Sequence, residues 1–194
     1  ELRRHGYRLF LANTEEAPAL PLKELLTPKT VDGLFFLNWS SEYDDGQWPG
    51  HIPSVLASEE EVGAGVEQVT VGLEDTLFTV LRYLKRKGHQ RIAFLNGNPA
   101  KPYFHRLRSA LLRASQRVGI ARDQIEIIES RPSRCAGSLL EKLRGEKPPT
   151  VAILADNPRV LSIYSGLLTA GVRIPEDISL ITLADNPQYI DLQP

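Results

Sequence analysis

The residues that could do chemistry in this chain are polar side chains placed directly after short apolar segments or at the start of a helix. The candidates for a ligand-binding site are Asn38, Ser58, Tyr103, Arg108, Asp156 and Asp185. Asparagine, aspartate, serine and tyrosine hydrogen-bond well to hydroxyls and amides, and a planar guanidinium can hold a carboxylate or hydroxyl ligand. This set predicts the recognition of a small polar molecule.

Local structure offers a second interpretation of the same residues. Asn and Asp are also favoured in turns and at helix N-caps, and Asp156 stands just ahead of a helix with Pro158 in its first turn. Arg108 follows the loop Asn96-Gly97-Asn98, and it could equally form an exposed ion pair worth roughly 0–1 kcal/mol. From the residues alone, both interpretations stay open.

Catalytic and metal-binding signatures are missing from the sequence. It contains no P-loop, no complete dinucleotide fingerprint, no G-x-S-x-G elbow and no H-E-x-x-H motif. Gly63-Ala64-Gly65 offers two of the three fingerprint glycines and is more typical of a loop, and the 4 histidines are scattered. The single Cys135 cannot form an internal disulfide or a cysteine zinc site. We therefore expect no enzymatic activity, no cofactor and no metal.

The elements that position the candidate residues alternate between strand-like and helix-like segments. Strands are expected at residues 7–12, 31–37, 52–56, 69–71, 92–95, 125–128, 151–155 and 178–183. Helices are expected at residues 22–26, 77–84, 107–118, 138–143 and 161–168. This order is typical of βαβ units with a mostly parallel sheet. Open sheets of this kind bind ligands at the carboxyl ends of their strands.

Length and charge narrow the class of protein further. The 194 residues are 42% hydrophobic, which is enough for a core in one domain or in two lobes. The 23 basic and 24 acidic side chains give a formal charge of -1, which disfavours a surface whose main partner is nucleic-acid phosphate. No apolar segment approaches the ~18 residues of a transmembrane helix. We expect a cytoplasmic protein without membrane insertion.

Segments in the order and spacing of a known family run through nearly the whole chain. They are residues 6–9 (GYRL), 31–34 (VDGL), 83–84 (YL) with 88–93 (GHQRIA), and 171–180 (GVRIPEDISL). They resemble the effector-binding domain of the LacI/GalR family of bacterial transcription regulators. The helix that ends in Gly-His-Gln-Arg-Ile-Ala and the pattern Gly-x-x-x-Pro-x-Asp-Ile-Ser are the most specific of these similarities.

The resemblance implies a two-lobed α/β fold of the periplasmic-binding-protein type I class, with parallel sheets flanked by helices. Residues 1–58 would belong to the N-terminal lobe and residues 59–194 to the C-terminal lobe. A small-molecule effector, such as a sugar, a nucleoside or a related metabolite, would close between them. Family members usually form homodimers and bind operator DNA through a helix-turn-helix headpiece. We expect this chain to be a piece of such a protein, with its headpiece lying elsewhere.

The resemblance also assigns roles at the site. The ligand arginine of the family corresponds to Arg108, although Leu111 and Leu112 replace the glycine and the aromatic residue that usually follow. Ala184 stands at the first acidic position of the pair that ends in Asp185. The expected function is a ligand-responsive repressor with an altered pocket. An exported periplasmic binding protein for a small molecule such as a sugar is the alternative, and a signal peptide upstream would favour it.

Overall fold

Short apolar segments form the strands of this chain, and amphipathic segments form its helices. The structure is a computed structural model that describes residues 2–10, 31–37, 52–58, 67–70, 72–98, 102–130, 134–155, 159–183, 186 and 189. The elements in chain order are β1 (Leu34–Leu37), β2 (Ser54–Ala57), β3 (Glu67–Val69), α1 (Leu73–Arg86), β4 (Ile92–Asn96), α2 (Pro102–Val118), β5 (Ile125–Glu129), α3 (Cys135–Leu143), β6 (Val151–Leu154), α4 (Val160–Thr169) and β7 (Ser179–Thr182). Short 3-10 helices lie at Leu2–His5 and Arg122–Gln124.

The chain divides into two compact units, Glu1–Val71 and Gly72–Pro194. The first unit contains a parallel sheet in the order β1-β2-β3. Because β3 pairs with β2, residues 67–69 belong to the first unit. The sequence suggested a lobe boundary after residue 58, which lies before β3. The two compact units divide between residues 71 and 72, after that strand.

The second unit contains a parallel sheet in the order β5-β4-β6-β7. The strand β4 has neighbours on both sides, and all five of its residues are buried. A strand covered on both faces carries a continuous apolar run rather than an apolar-polar alternation. This burial explains the apolar sequence Ile-Ala-Phe-Leu. The polar Asn96 follows it at the carboxyl end of the strand.

Alternate residues of β4 contribute to two separate hydrophobic cores. Ile92 and Phe94 pack against residues of α1 and α2, whereas Ala93 and Leu95 pack against residues of α3 and α4. The side chains divide in this way because successive residues of a strand point to opposite faces of the sheet. Full burial of a side chain such as Phe94 contributes roughly 1.5–3 kcal/mol. Two helical layers therefore hold the sheet between them.

The basic run at the end of α1 has a structural explanation. Gly88 has a φ of +87°, the left-handed conformation that commonly follows a helix and that the sequence predicted here. Within the run, the Lys85 Nζ donates hydrogen bonds to the carbonyl oxygens of Val118 at 2.8 Å and Gly119 at 3.0 Å. A cation at the last carbonyls of a helix stabilises that helix end. Lys85 therefore ties the end of α2 to α1 without any nucleic acid.

The order of helices and strands predicted for the second unit is confirmed, with ends that differ by a few residues. In the first unit, the strand predicted at residues 7–12 is wrong for residues 7–10, which are exposed and adopt no regular secondary structure. Residues 11–12 and the helix predicted at residues 22–26 lie outside the described residues. Among the helices that are described, none is long and apolar enough to cross a membrane.

Candidate ligand-binding site

The strand order of the second unit places a switch point at the carboxyl ends of β4 and β6. From β4 the chain continues to β5 on one side, whereas from β6 it continues to β7 on the other side. The loops after two adjacent strands therefore diverge, and open α/β sheets bind ligands at such a switch point. The residues at this position are Asn96 at the end of β4, Gly97 after it, and Ala155 after β6.

Asn96 is a polar side chain fixed in a buried position at this edge. It is 2% exposed. Its Nδ2 donates hydrogen bonds to the carbonyl oxygen of Phe104 at 3.1 Å and to the Glu129 Oε1 at 3.3 Å. Its Oδ1 is buried and accepts no hydrogen bond within the described part of the chain. A buried oxygen without a donor costs roughly 1–3 kcal/mol, so this atom is suited to accept a hydrogen bond from a ligand.

Glu129 connects Asn96 to Arg108. It is the last residue of β5 and lies opposite Asn96 in the parallel register of β4 and β5. The Arg108 Nη1 lies 3.5 Å from the same Oε1 that accepts the bond from Asn96. The side chains of Arg108 and Glu129 are 45% and 29% exposed, so this long ion pair contributes little stability, about 0–1 kcal/mol. Both groups are therefore accessible to a ligand at small cost.

Gly97 allows the start of α2 to approach the end of β4. A Cβ at this residue would lie 2.0 Å from the Phe104 ring, closer than side chains tolerate. The ring of Phe104 in turn meets the ring of Tyr103 edge to face, with 5.1 Å between the centroids. This packing places the Phe104 carbonyl where Asn96 can bind it. Gly97 thus permits the position of Phe104 at which its carbonyl accepts the hydrogen bond from Asn96.

A buried arginine connects the loops after β5 and β6. Arg159, which precedes α4, is 8% exposed. Its Nη1 donates to the carbonyl oxygen of Ser130 at 3.3 Å and lies 3.4 Å from the Cys135 Sγ. The arginine and the thiol border a cavity of about 10 Å³ together with Leu95, Leu154, Ala155 and Ile163. A cavity of this size holds at most one water, so it serves packing rather than ligand binding.

The structure describes three of the six predicted site residues. Arg108 and the half-buried Tyr103 both lie on α2, near the carboxyl end of β4. Ser58 follows β2 in the first unit, where it is buried and donates its backbone N–H to Val69 at 3.2 Å. Asn38, Asp156 and Asp185 lie outside the described residues. Their assignment to a ligand site stays a prediction.

The six predicted residues did not include Glu129 or Arg159, whereas Asn96 belongs to the loop Asn96-Gly97-Asn98, whose polar residues the sequence had indicated at the end of a strand. The sequence contained a signal for Glu129, because a polar residue that ends the strand-like pattern Ile-Glu-Ile-Ile-Glu is expected at the carboxyl end of a strand. The pairing of Glu129 with Asn96 depends on strand order, which the pattern of residues does not contain. Arg106 was missed as well. It is half-buried on α2, and its Nε and Nη2 have no hydrogen-bond partner in the described part of the chain.

The chemistry available at this edge is hydrogen bonding. It offers the Asn96 Oδ1 and the Glu129 carboxylate as acceptors and the Arg108 guanidinium as a donor. Over the described ranges, His, Cys, Asp and Glu side chains form no group of three or more that could hold a metal ion. His105, the histidine nearest this edge in sequence, is exposed on α2.

Known proteins resemble this chain over most of its length. A family model described as a periplasmic binding protein-like domain matches residues 81–193. Catabolite control protein A of Priestia megaterium is 26% identical over 184 residues, which cover 91% of this chain and 55% of that protein. The transcriptional repressor PurR of Vibrio atlanticus is 27% identical over 186 residues, which cover 92% and 55%. The chain thus spans about half the length of these relatives.

Solved structures show the same fold. A LacI family transcriptional regulator from Bifidobacterium animalis superposes with a TM-score of 0.75 at 20% identity, over 98% of this chain and 72% of that chain. A LacI family regulator from Enterococcus faecium, solved with bound ribose, gives a TM-score of 0.69 at 20% identity, over 93% and 68%. The α/β architecture with parallel sheets between helices is shared with both.

Proposed function

Because the chain belongs to the family of periplasmic binding protein-like domains, we propose that it is the effector-binding domain of a LacI-type transcriptional repressor. The observation that carries this proposal is the polar edge at the ends of β4 and β5. There Asn96, Arg108 and Glu129 form one hydrogen-bonded group beside the switch point of the sheet. The relatives, which are named as a control protein and a repressor, support a regulatory role rather than an enzymatic one.

The proposed effector is a small polar molecule such as a sugar, a nucleoside or a related metabolite. The bound ribose of one structural neighbour supports this class. In this proposal the protein is a cytoplasmic homodimer that binds operator DNA through a headpiece outside this chain. The effector must bind one conformation of the protein more tightly than the other, because a ligand with equal affinity for both shifts no equilibrium.

The proposed ligand contacts begin with Arg108, whose guanidinium lies at the polar edge, and Tyr103, five residues before it on α2. Ser58, Asn38, Asp156 and Asp185 complete the set expected from the sequence. Arg108 is the residue whose loss should matter most, because hydrogen bonds to a charged group are worth roughly 1.5–3 kcal/mol. Substitution of Arg108 by alanine should therefore weaken effector binding at least tenfold.

The experiment that tests this function uses the protein encoded by the complete gene. Fluorescence anisotropy measures its affinity for DNA from upstream of that gene, with and without a panel of sugars and nucleosides. We expect one class of compound to change operator affinity at least tenfold. Arg108→Ala should abolish that response and leave the DNA affinity without effector unchanged. Arg86→Ala, which removes an exposed arginine of α1, is the matched control and should respond as the wild type does.

DNA affinity that no compound alters would contradict effector control. A protein that carries a cleaved signal peptide, binds a sugar and fails to bind DNA would instead identify an exported binding protein.

A further inference from the structure

We propose that Glu129 determines the charge of the ligand: it adapts the site to uncharged, hydroxyl-bearing molecules and excludes those that present a phosphate group to Arg108. This inference rests on the proposed function, because it concerns the ligand of the same site. It assigns to Glu129 a role in specificity that neither the sequence pattern nor the similarity to known proteins contains.

The first support is the position of Glu129 between the two other polar groups. Its Oε1 lies 3.3 Å from the Asn96 Nδ2 and 3.5 Å from the Arg108 Nη1. Its Oε2 accepts no hydrogen bond within the residues that the structure describes. An anion that approached the Arg108 guanidinium would meet this carboxylate at close range. Like charges placed side by side oppose binding, and they discriminate between partners.

The second support is the orientation of the Asn96 amide. The Nδ2 has two hydrogens, and two acceptors, the Phe104 carbonyl and the Glu129 carboxylate, face it. Rotating the amide by half a turn would place Oδ1 against both acceptors, so the hydrogen-bond network fixes the assignment. The Asn96 Oδ1 therefore remains an acceptor that needs a donor. A sugar or nucleoside hydroxyl can supply that donor, whereas a fully ionised phosphate cannot.

The third support is the local balance of charge. Glu129 forms an ion pair with Arg108, so the positive charge that Arg108 would offer to an anion is offset within this pair. The edge thus offers the Arg108 guanidinium as a donor, and the Asn96 and Glu129 oxygens as acceptors. Hydroxyl groups both donate and accept, and they match this mixture.

The inference is tested by titration calorimetry of the 194-residue chain with inorganic phosphate, at low ionic strength. The wild type is compared with Glu129→Gln, which keeps an oxygen and the shape of the side chain but removes its negative charge. We expect Glu129→Gln to bind phosphate at least tenfold more tightly than the wild type. The matched control is Glu126→Gln on the same strand. Glu126 forms an ion pair of 2.7 Å with Lys142 away from the site, so its removal should leave phosphate affinity unchanged.

The double variant Arg108→Gln/Glu129→Gln identifies the cation responsible. If Arg108 holds the phosphate, the gain caused by Glu129→Gln should disappear in the double variant. Equal phosphate affinity in wild type and Glu129→Gln would overturn the inference, as would a gain that survives the loss of Arg108. A second titration with ribose and a panel of nucleosides separates this result from the proposed function. That function fails if none of these compounds binds the wild type, whereas the phosphate comparison still decides the role of Glu129.

Discussion

Substitution of Gly97 by alanine is expected to destabilise the second unit by displacing the Phe104 ring. The added Cβ would lie 2.0 Å, 2.2 Å and 2.4 Å from three atoms of the ring, whereas ordinary contact begins at 3.4 Å. The ring must therefore retreat by about 1.4 Å, but it is packed in the core between α1, α2 and β4 and is 8% exposed. Overpacking of this kind typically costs about 1–3 kcal/mol. The same displacement should lengthen the 3.1 Å bond from Asn96 to the Phe104 carbonyl.

Urea unfolding of wild type, Gly97→Ala and Gly137→Ala measures this cost. Gly137 is the matched control, because it lies inside α3 and a Cβ there would meet nothing within 4 Å. Alanine at this helical position should stabilise the protein by about 0.5–1 kcal/mol. In a Phe104→Leu background, which lacks the clashing ring atoms, the cost of Gly97→Ala should fall to near zero. Two results would contradict a clash with the Phe104 ring: equal stability of Gly97→Ala and the wild type, or the same loss of stability in the Phe104→Leu background.

Three further substitutions test other parts of the structure. The side chain and the backbone N–H of Arg173 hold the pKa of Asp177 at about 2, below its ordinary 3.8. This lowered pKa stabilises the folded protein fully above about pH 4, and the stabilisation is lost as the pH falls to about 2. The difference in Tm between wild type and Asp177→Asn, measured by calorimetry, should therefore disappear over that range. A difference that persists at pH 2 contradicts this. Arg106→Met should raise the urea midpoint of unfolding by an amount equivalent to about 1 kcal/mol, because it removes two buried donors that have no partners among the described residues. A lower midpoint would show that the guanidinium stabilises the fold. Arg159→Ala should lower stability by about 1–3 kcal/mol, because the buried bond to the Ser130 carbonyl is lost, and an unchanged midpoint would refute this bridging role.

The fold of the second unit was predictable because its apolar pattern has few alternative interpretations. The run Ile92–Leu95 is too short for a helix and too apolar for an exposed strand. The leucines of α1 at positions 77, 81 and 84 follow the helical period, and Gly88 marks the end of that helix. The parallel arrangement followed from the regular alternation of these segments. The first unit gave weaker signals, and the exposed apolar residues Tyr7, Leu9 and Phe10 resembled a strand that does not form there.

The site was less predictable, because its geometry depends on which strands are neighbours. Asn96 and Glu129 are separated by 33 residues in the chain, and only the pairing of β4 with β5 brings their side chains together. The sequence drew attention to Arg108, yet it could not distinguish a ligand contact from an ion pair. The structure contains that ion pair, and its length and exposure leave the arginine available. Arg108 can therefore form the ion pair with Glu129 and still be free to contact a ligand.

The most direct test of effector binding is titration calorimetry of the 194-residue chain with sugars and nucleosides. We expect at least one neutral, hydroxyl-bearing compound to bind, and we expect Arg108→Ala to weaken this binding at least tenfold while Arg86→Ala leaves it unchanged. A folded chain that binds none of these compounds, or that binds them equally well without Arg108, would contradict this expectation.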